Sequence, residues 1–311
     1  MSAPEVLVHA VLLLALPPLV PGVINKSKAW LAGRVGAPVW QPYADLARLL
    51  RKGAVYGEAT TWVFRAGPVV GLAATLVAGL VVPLATGAGP LSFTGDVVAF
   101  ASLLALARFA TMAAALDTGS SFEGMGASRE AAFGAFVEPA LFLVLAIVCL
   151  PAGEPSFAAA WAALPWGSWG RQPVFLVAAA VLFVVLLAEN ARVPVDDPAT
   201  HLELTMVHEV MVLDHSGPDL AFIVYGSAVK LFLFAALLVR LLLPVPRAGG
   251  WAGVALLVAG DGGVAVAVGA VEASLARLRL PRVPGLLAGV AALAAVGLAV
   301  LLAGGAGAGQ P

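Results

Sequence analysis

The sequence predicts an all-α polytopic membrane protein with about eight transmembrane helices and both termini outside. Three observations carry this. The 311 residues are 61% hydrophobic and only 11% charged, with a mean hydropathy of +0.99. A soluble domain carries about a quarter charged residues, so the apolar excess here needs lipid to cover it. The apolar residues gather into runs of about 20, the length that crosses a bilayer as a helix. The basic residues between those runs collect on one side.

The runs lie at roughly 4–24, 67–87, 96–117, 130–150, 173–191, 218–243, 252–272 and 284–305. The first lacks a basic leader and a small-residue cleavage site, so it reads as a retained helix rather than a signal peptide. Intervals 25–66, 117–130, 189–217 and 273–283 fall on one side and hold Lys26, Lys28, Arg34, Arg48, Arg51, Lys52, Arg65, Arg129, Arg192, Arg277, Arg279 and Arg282. The other side has Arg171, Arg240 and Arg247. The basic side faces the cytoplasm by the positive-inside rule, which places the chain in the cytoplasmic membrane. The whole chain, 1–311, reads as one integral membrane domain.

Within the first inner interval, Tyr43–Lys52 reads as a short amphipathic helix. Leu46, Leu49 and Leu50 fall on one side, with Arg48, Arg51 and Lys52 opposite. Such a helix lies in the membrane interface; its basic face either meets water or docks a partner. Gly119–Gly126 reads as a tight connection between the third and fourth runs. It lacks the Lys-Ser/Thr ending of a phosphate-binding loop.

Several function classes drop out. A net charge of −1 makes no case for nucleic acid. Cys149, alone, forms no internal disulfide and holds no iron–sulfur cluster, which takes about four cysteines. His201, His208 and His215 recur every seven residues. On a helix they would share a stripe at spacings of about 10 Å, too far apart to ligate one metal together. They suit titration near neutral pH better.

A charge at mid-bilayer is costly, so it marks a function or a partner. Arg108, Glu138, Lys230 and Asp261 all fall inside apolar runs. Glu130 and Glu138, eight residues apart, lie within about 80° on one helix. Asp261 and Glu272 return almost to one face. Each acid either neutralises a base, as Glu138 with Arg108 or Asp261 with Lys230, or belongs to a proton path; a paired acid that water reaches does both. The densest polar stretch runs from Ala188 to Glu209. It holds Glu189, Arg192, Asp196, Asp197, His201, Glu203, His208 and Glu209. Carboxylates so crowded raise one another's pKa.

The pattern Glu189-x-x-Arg192-x-Pro194-x-Asp196-x-Pro198-x4-Glu203-Leu204 resembles the signature inner loop of the subunit-1 family of respiratory complex I. The longer run to Met206-Val-His-Glu209 is more similar to that family's hydrogenase branch, which includes formate hydrogenlyase subunit 4 and the membrane subunit of hydrogenase-4. Asp117-Thr-Gly-Ser-Ser-Phe-Glu-Gly-Met-Gly-Ala-Ser-Arg-Glu130 and Gln41-Pro-Tyr-Ala-Asp-Leu46 look like its other inner-loop motifs. The resemblance covers nearly the whole chain. It implies a membrane anchor and proton-coupling subunit rather than a catalyst. It also implies soluble hydrogenase-like large and small subunits, a ferredoxin-like subunit and antiporter-like membrane subunits as partners. Iron–sulfur clusters and nickel–iron would belong to those partners, with no cofactor bound directly. Ala199 and His201 stand where complex I subunits usually carry glutamates, and Asp197 where they are usually apolar. These departures count against quinone binding. Glu123 stands where a small residue is expected. The alternatives are a quinone-binding subunit 1 and a stand-alone ion-coupled transporter.

Overall fold

A computed structural model describes residues 2–84, 86–165, 172–196, 206–245 and 250–307, which contain helices and no strand. Eleven α-helices are described: α1 Ala3–Ala15, α2 Leu19–Leu31, α3 Gln41–Leu50, α4 Trp62–Val81, α5 Asp96–Asp117, α6 Ser121–Cys149, α7 Phe157–Ala163, α8 Val174–Glu189, α9 Gly217–Leu242, α10 Gly250–Ser274 and α11 Val283–Gly307. Among the described residues, six helices (α4, α5, α6, α9, α10 and α11) are long and apolar enough to cross a membrane. The chain is a multi-pass helical membrane protein.

The first and fifth runs depart from the simple expectation. The first is a bent pair, α1 and α2, meeting at 47°. Pro17 and Pro18 have no N–H, so the helix cannot continue its hydrogen bonds through them. Two carbonyls before the bend are taken by tyrosines. Tyr225 on α9 donates to Leu14 O at 2.8 Å, and Tyr43 on α3 donates to Ala15 O. The fifth run forms α8, only 16 residues long. At 1.5 Å per residue it falls short of the roughly 30 Å hydrocarbon core. It is apolar all round and packs in the interior against α6, α9 and α11.

Two loop expectations change as well. α2 runs on to Leu31, inside the interval expected to be loop from residue 25. α6 begins at Ser121, so Gly124 and Gly126 are helical and only Thr118–Ser120 connects α5 to α6. Gly119, at φ +70°, is a turn glycine, whereas Gly126 serves packing: a Cβ there would stand 2.4 Å from Val210.

The four polar intervals join at one end of the bundle, the basic end. Val55 N donates to Ser216 Oγ at 2.9 Å, and Thr61 N to Asp117 at 2.7 Å. Leu278 N donates to Pro194 O at 2.9 Å, and Arg129 to Met206 O at 2.9 Å. Exposed indoles of Trp30, Trp40 and Trp62 mark this end, and Trp251 marks the other. Tryptophan in such positions belongs at the membrane–water interface. At the opposite end, Asp96 accepts from Phe157 N at 2.8 Å, and Gly95 N donates to Pro155 O at 2.9 Å. Arg240, counted above with the outer basic residues, is in fact fully buried within α9 and donates to Leu84 O at 2.7 Å.

Candidate functional site

The site is built around Arg108 on α5. Its Nε lies 3.1 Å from Glu130, and its Nη1 lies 2.6 Å from Glu138. Its Nη2 pairs with Glu189. Three carboxylates reach one guanidinium because α6 spaces two of them for it. Glu130, Gly134 and Glu138 stand one turn apart on one face. A Cβ at Gly134 would come within 2.5 Å of Arg108 Nη1, so the glycine lets the guanidinium lie against the helix between the two acids. Glu189 ends α8, where the helix dipole disfavours a negative charge. Arg108 offsets this, and so does Lys230 on α9, at 3.5 Å from Glu189. With all five groups ionised, three acids against two bases leave a formal charge of −1 (2 − 3).

A second set of pairs lies between this knot and the basic end. Past α8 the chain turns through Ala191, in the left-handed region at φ 51°. Arg192 then reaches Glu272 on α10 at 3.3 Å, and Lys28 on α2 reaches the same carboxylate at 3.4 Å. Asp196 pairs with Arg277 at 2.9 Å and accepts from the backbone of Val207 and His208 at 3.1 and 3.3 Å. The His208 ring stands between the two sets, 3.3 Å from Glu130 and 3.9 Å from Asp196. A cavity of about 340 Å³ opens beside it. Arg108, Glu130, Glu189, Arg192, His208, Glu209 and Lys230 form its polar floor, and Pro18, Leu46, Leu72 and Ile223 stand in its apolar wall.

The sequence match to the NADH dehydrogenase family extends over residues 4–303. Hydrogenase-4 component C of Escherichia coli (strain K12) is 34% identical over 242 residues, 78% of this chain and 76% of that protein. The chain belongs to this family, the subunit-1 family of complex I, in its hydrogenase branch. Formate hydrogenlyase subunit 4 of the same organism is 32% identical over 78% of each chain. A subunit of the NADH-quinone oxidoreductase of Anaplasma phagocytophilum (strain HZ) is 29% identical over 68% of this chain and 64% of that one. A chain in the structure of the membrane-bound sulfane sulfur reductase, an archaeal respiratory membrane complex, superposes with a TM-score of 0.82. That match covers 96% of this chain and 98% of that one at 21% identity, and it shows the shared fold.

In this family member the expected site residues divide into groups. Glu130, Glu138, Glu189, Arg192, Asp196, His208, Arg108 and Lys230 come together through the contacts above, and Glu209 lines the cavity. Asp197, His201 and Glu203 lie outside the described residues. Asp261 is not paired with Lys230. Lys230 faces Glu189, and both carboxylate oxygens of Asp261 are buried without a hydrogen-bond partner among the described residues. The pairing fails because which span neighbours which is a tertiary matter. The histidine stripe fails too, since residues 206–216 hold only a short 3-10 turn at Glu209–Val212. His208 goes to Glu130, and His215 stacks on Phe64 at 4.0 Å. On α3, Arg48 pairs locally with Asp45 at 3.0 Å, and Leu50 is 54% exposed rather than seated with Leu46 and Leu49.

Arg277 and Glu123 belong to the site or its frame, and sequence reasoning does not place them there. Glu272, noted in the sequence for sharing a face with Asp261, instead meets Arg192 and Lys28. Glu123, buried, accepts from Asp214 N at 3.1 Å and so fastens the 206–216 segment to α6. This explains an acid where a small residue is expected.

Proposed function

We propose that this chain is the membrane-anchoring and proton-coupling subunit of a complex I-like membrane-bound nickel–iron hydrogenase or formate hydrogenlyase. It sits in the cytoplasmic membrane with its termini outside. Its joined loops, with Arg48 on α3 and Arg51 and Lys52 just past its end, dock the soluble large, small and ferredoxin-like subunits. Those partners carry the iron–sulfur and nickel–iron centres, and this chain binds no cofactor directly. The observation that carries the reading is the Arg108 knot: acids and bases of unequal number, buried under the loop end, beside a cavity. Groups that interact so closely exchange a proton as a set rather than singly. The relatives support the context, being named as components of hydrogenase-4 and formate hydrogenlyase.

A lateral neighbour is supported by Glu138. Its side chain is 42% exposed in the middle of α6, with exposed Phe142 one turn further on. A carboxylate there is costly against lipid, so an antiporter-like membrane subunit covering this face suits it.

The test uses the intact complex in liposomes. Glu189→Gln should lower physiological turnover and proton movement by about tenfold or more, while the complex assembles and the soluble arm still reacts with artificial electron carriers. Unchanged turnover and proton movement would reduce the knot to a structural role. The apolar wall of the cavity favours one second reading, a quinone-binding subunit. Block of turnover by a quinone-site inhibitor would support it over the first.

A further inference from the structure

We propose that His208 is the proton junction between the cavity and the Arg108 knot, a side chain that hands a proton on to Glu130. The inference rests on the proton-coupling reading above and names its entry point. Four observations lead to it. The His208 side chain is 26% exposed and lines the cavity, whereas Glu130 and Glu189 are 7% and 3% exposed. The His208 exposure is of the ring's carbon edge, and a turn of the ring brings Nδ1 to the cavity. Both ring nitrogens are buried and free of hydrogen bonds among the described residues, so the ring is not locked in one tautomer. Glu130 splits its oxygens: Oε1 faces Arg108 and Oε2 faces His208 Nε2 at 3.3 Å.

Asp196 supplies the fourth. It accepts two backbone N–H groups and pairs with Arg277, so three donors face its oxygens. A carboxylate 3.9 Å from Nδ1 is suited to stabilise a positive ring. Glu189 on α8 adds negative potential; Arg108 on α5, Lys230 on α9 and Arg277 after α10 oppose it; Glu209 follows in the same segment.

The step balances simply. With the ring turned to the cavity, a hydronium ion there breaks one O–H bond to give its proton to His208 Nδ1 and is left as water; the new N–H bond makes an imidazolium, which turns back to be held by Asp196. The Nε2–H bond then breaks, its proton bonds to Glu130 Oε2, and the electron pair stays on the ring. The product is a neutral imidazole carrying its proton on Nδ1, beside a neutral Glu130. Exchange through cavity water returns the ring to its starting tautomer. Arg108, released from one carboxylate charge, is then held by Glu138 and Glu189.

The complete complex in liposomes tests this, with assembly scored first. His208→Gln should cut proton movement by about tenfold or more, while the soluble arm keeps its reaction with artificial carriers. In His208→Ala, imidazole added at millimolar levels should restore a measurable part of that loss through the cavity. Proton movement like wild type in His208→Gln, beside an impaired Glu130→Gln, overturns the junction and leaves the coupling reading standing. No effect in either, or in Glu189→Gln, overturns the coupling reading itself. Should both His208 variants fail to assemble, the wild-type complex decides. With ring-¹⁵N histidine, its turnover infrared difference spectrum should contain a label-sensitive imidazole band, and a spectrum without one removes the proposal.

Discussion

Two buried arginines stand toward opposite ends of this bundle, and they are treated differently. Arg108 meets three carboxylates. Arg240 meets one backbone carbonyl, with its Nε and Nη2 buried and unpartnered among the described residues, and its guanidinium lies 5.7 Å from the Trp161 ring. The partners of Arg108 can gain or lose protons; the carbonyl of Leu84 cannot. On the proposed reading, the first arrangement changes its charge state in operation. The second is a fixed tie that holds the chain after α4 against α9.

Replacing each arginine by methionine gives the largest effect expected. Arg108→Met leaves three acids facing one another, two of them buried. Stranding one side of a buried ion pair costs about 3–5 kcal/mol, so the complex should assemble poorly or melt well below wild type. Arg240→Met loses a charge-assisted hydrogen bond worth about 1.5–3 kcal/mol. It also removes a buried cation whose remaining nitrogens have no partner among the described residues, which offsets much of that loss. Thermal unfolding in detergent should place Arg240→Met far closer to wild type than Arg108→Met. Equal losses would mean that the two sites do the same structural work, and the contrast would collapse.

The contrast is half legible in the sequence. Glu130 and Glu138 announce themselves by spacing alone, since eight residues on a helix return to nearly the same face. Arg108 and Lys230 announce themselves by standing in apolar runs. Which acid each base meets is not legible. Depth alone matches Lys230 to Asp261, and only the packing of α9 beside α8 gives it Glu189 instead. A count of basic residues makes Arg240 an outer charge, because it does not know that a side chain can turn inward to a carbonyl. The α1–α2 bend is written in Pro17-Pro18, but a hydropathy window averages over prolines. Ser121–Glu130 looks like a glycine turn because close helix packing and tight turns ask for the same residue.

A smaller test concerns another fixed tie. Tyr225 donates to Leu14 O, a carbonyl whose usual helical donor would be the missing N–H of Pro18. Tyr225→Phe strands that carbonyl, which costs about 1–3 kcal/mol if water cannot reach it. The loss should be independent of pH, because no carboxylate or histidine is involved. A melting temperature lowered equally across mildly acidic to mildly basic pH would place the tyrosine with Arg240. A loss that varies with pH would place it with the knot.

The smallest effect is expected where a titratable group at the basic end lacks an acid in contact. His215 is buried and stacked nearly parallel on Phe64, with an interplanar angle of 8°. Burial pushes its pKa below the ordinary histidine value, and the charges of Asp219 and Asp214 only partly counter this. The neutral ring is therefore the docked form. When the 206–216 segment opens, the ring returns to an ordinary pKa of about 6.5 and takes up a proton first. Between that pH and the lower folded-state pKa the open form binds more protons. The His215 contribution to docking therefore weakens as pH falls below about 6.5 and is constant above it. Amide exchange of residues 206–216, corrected for intrinsic rates, should show protection falling with pH in this window. His215→Phe keeps the stacking and removes the proton, so its protection should stay flat over the same range. If the variant keeps the wild-type slope, the pH response belongs to His208 and its carboxylates, and His215 joins the fixed ties.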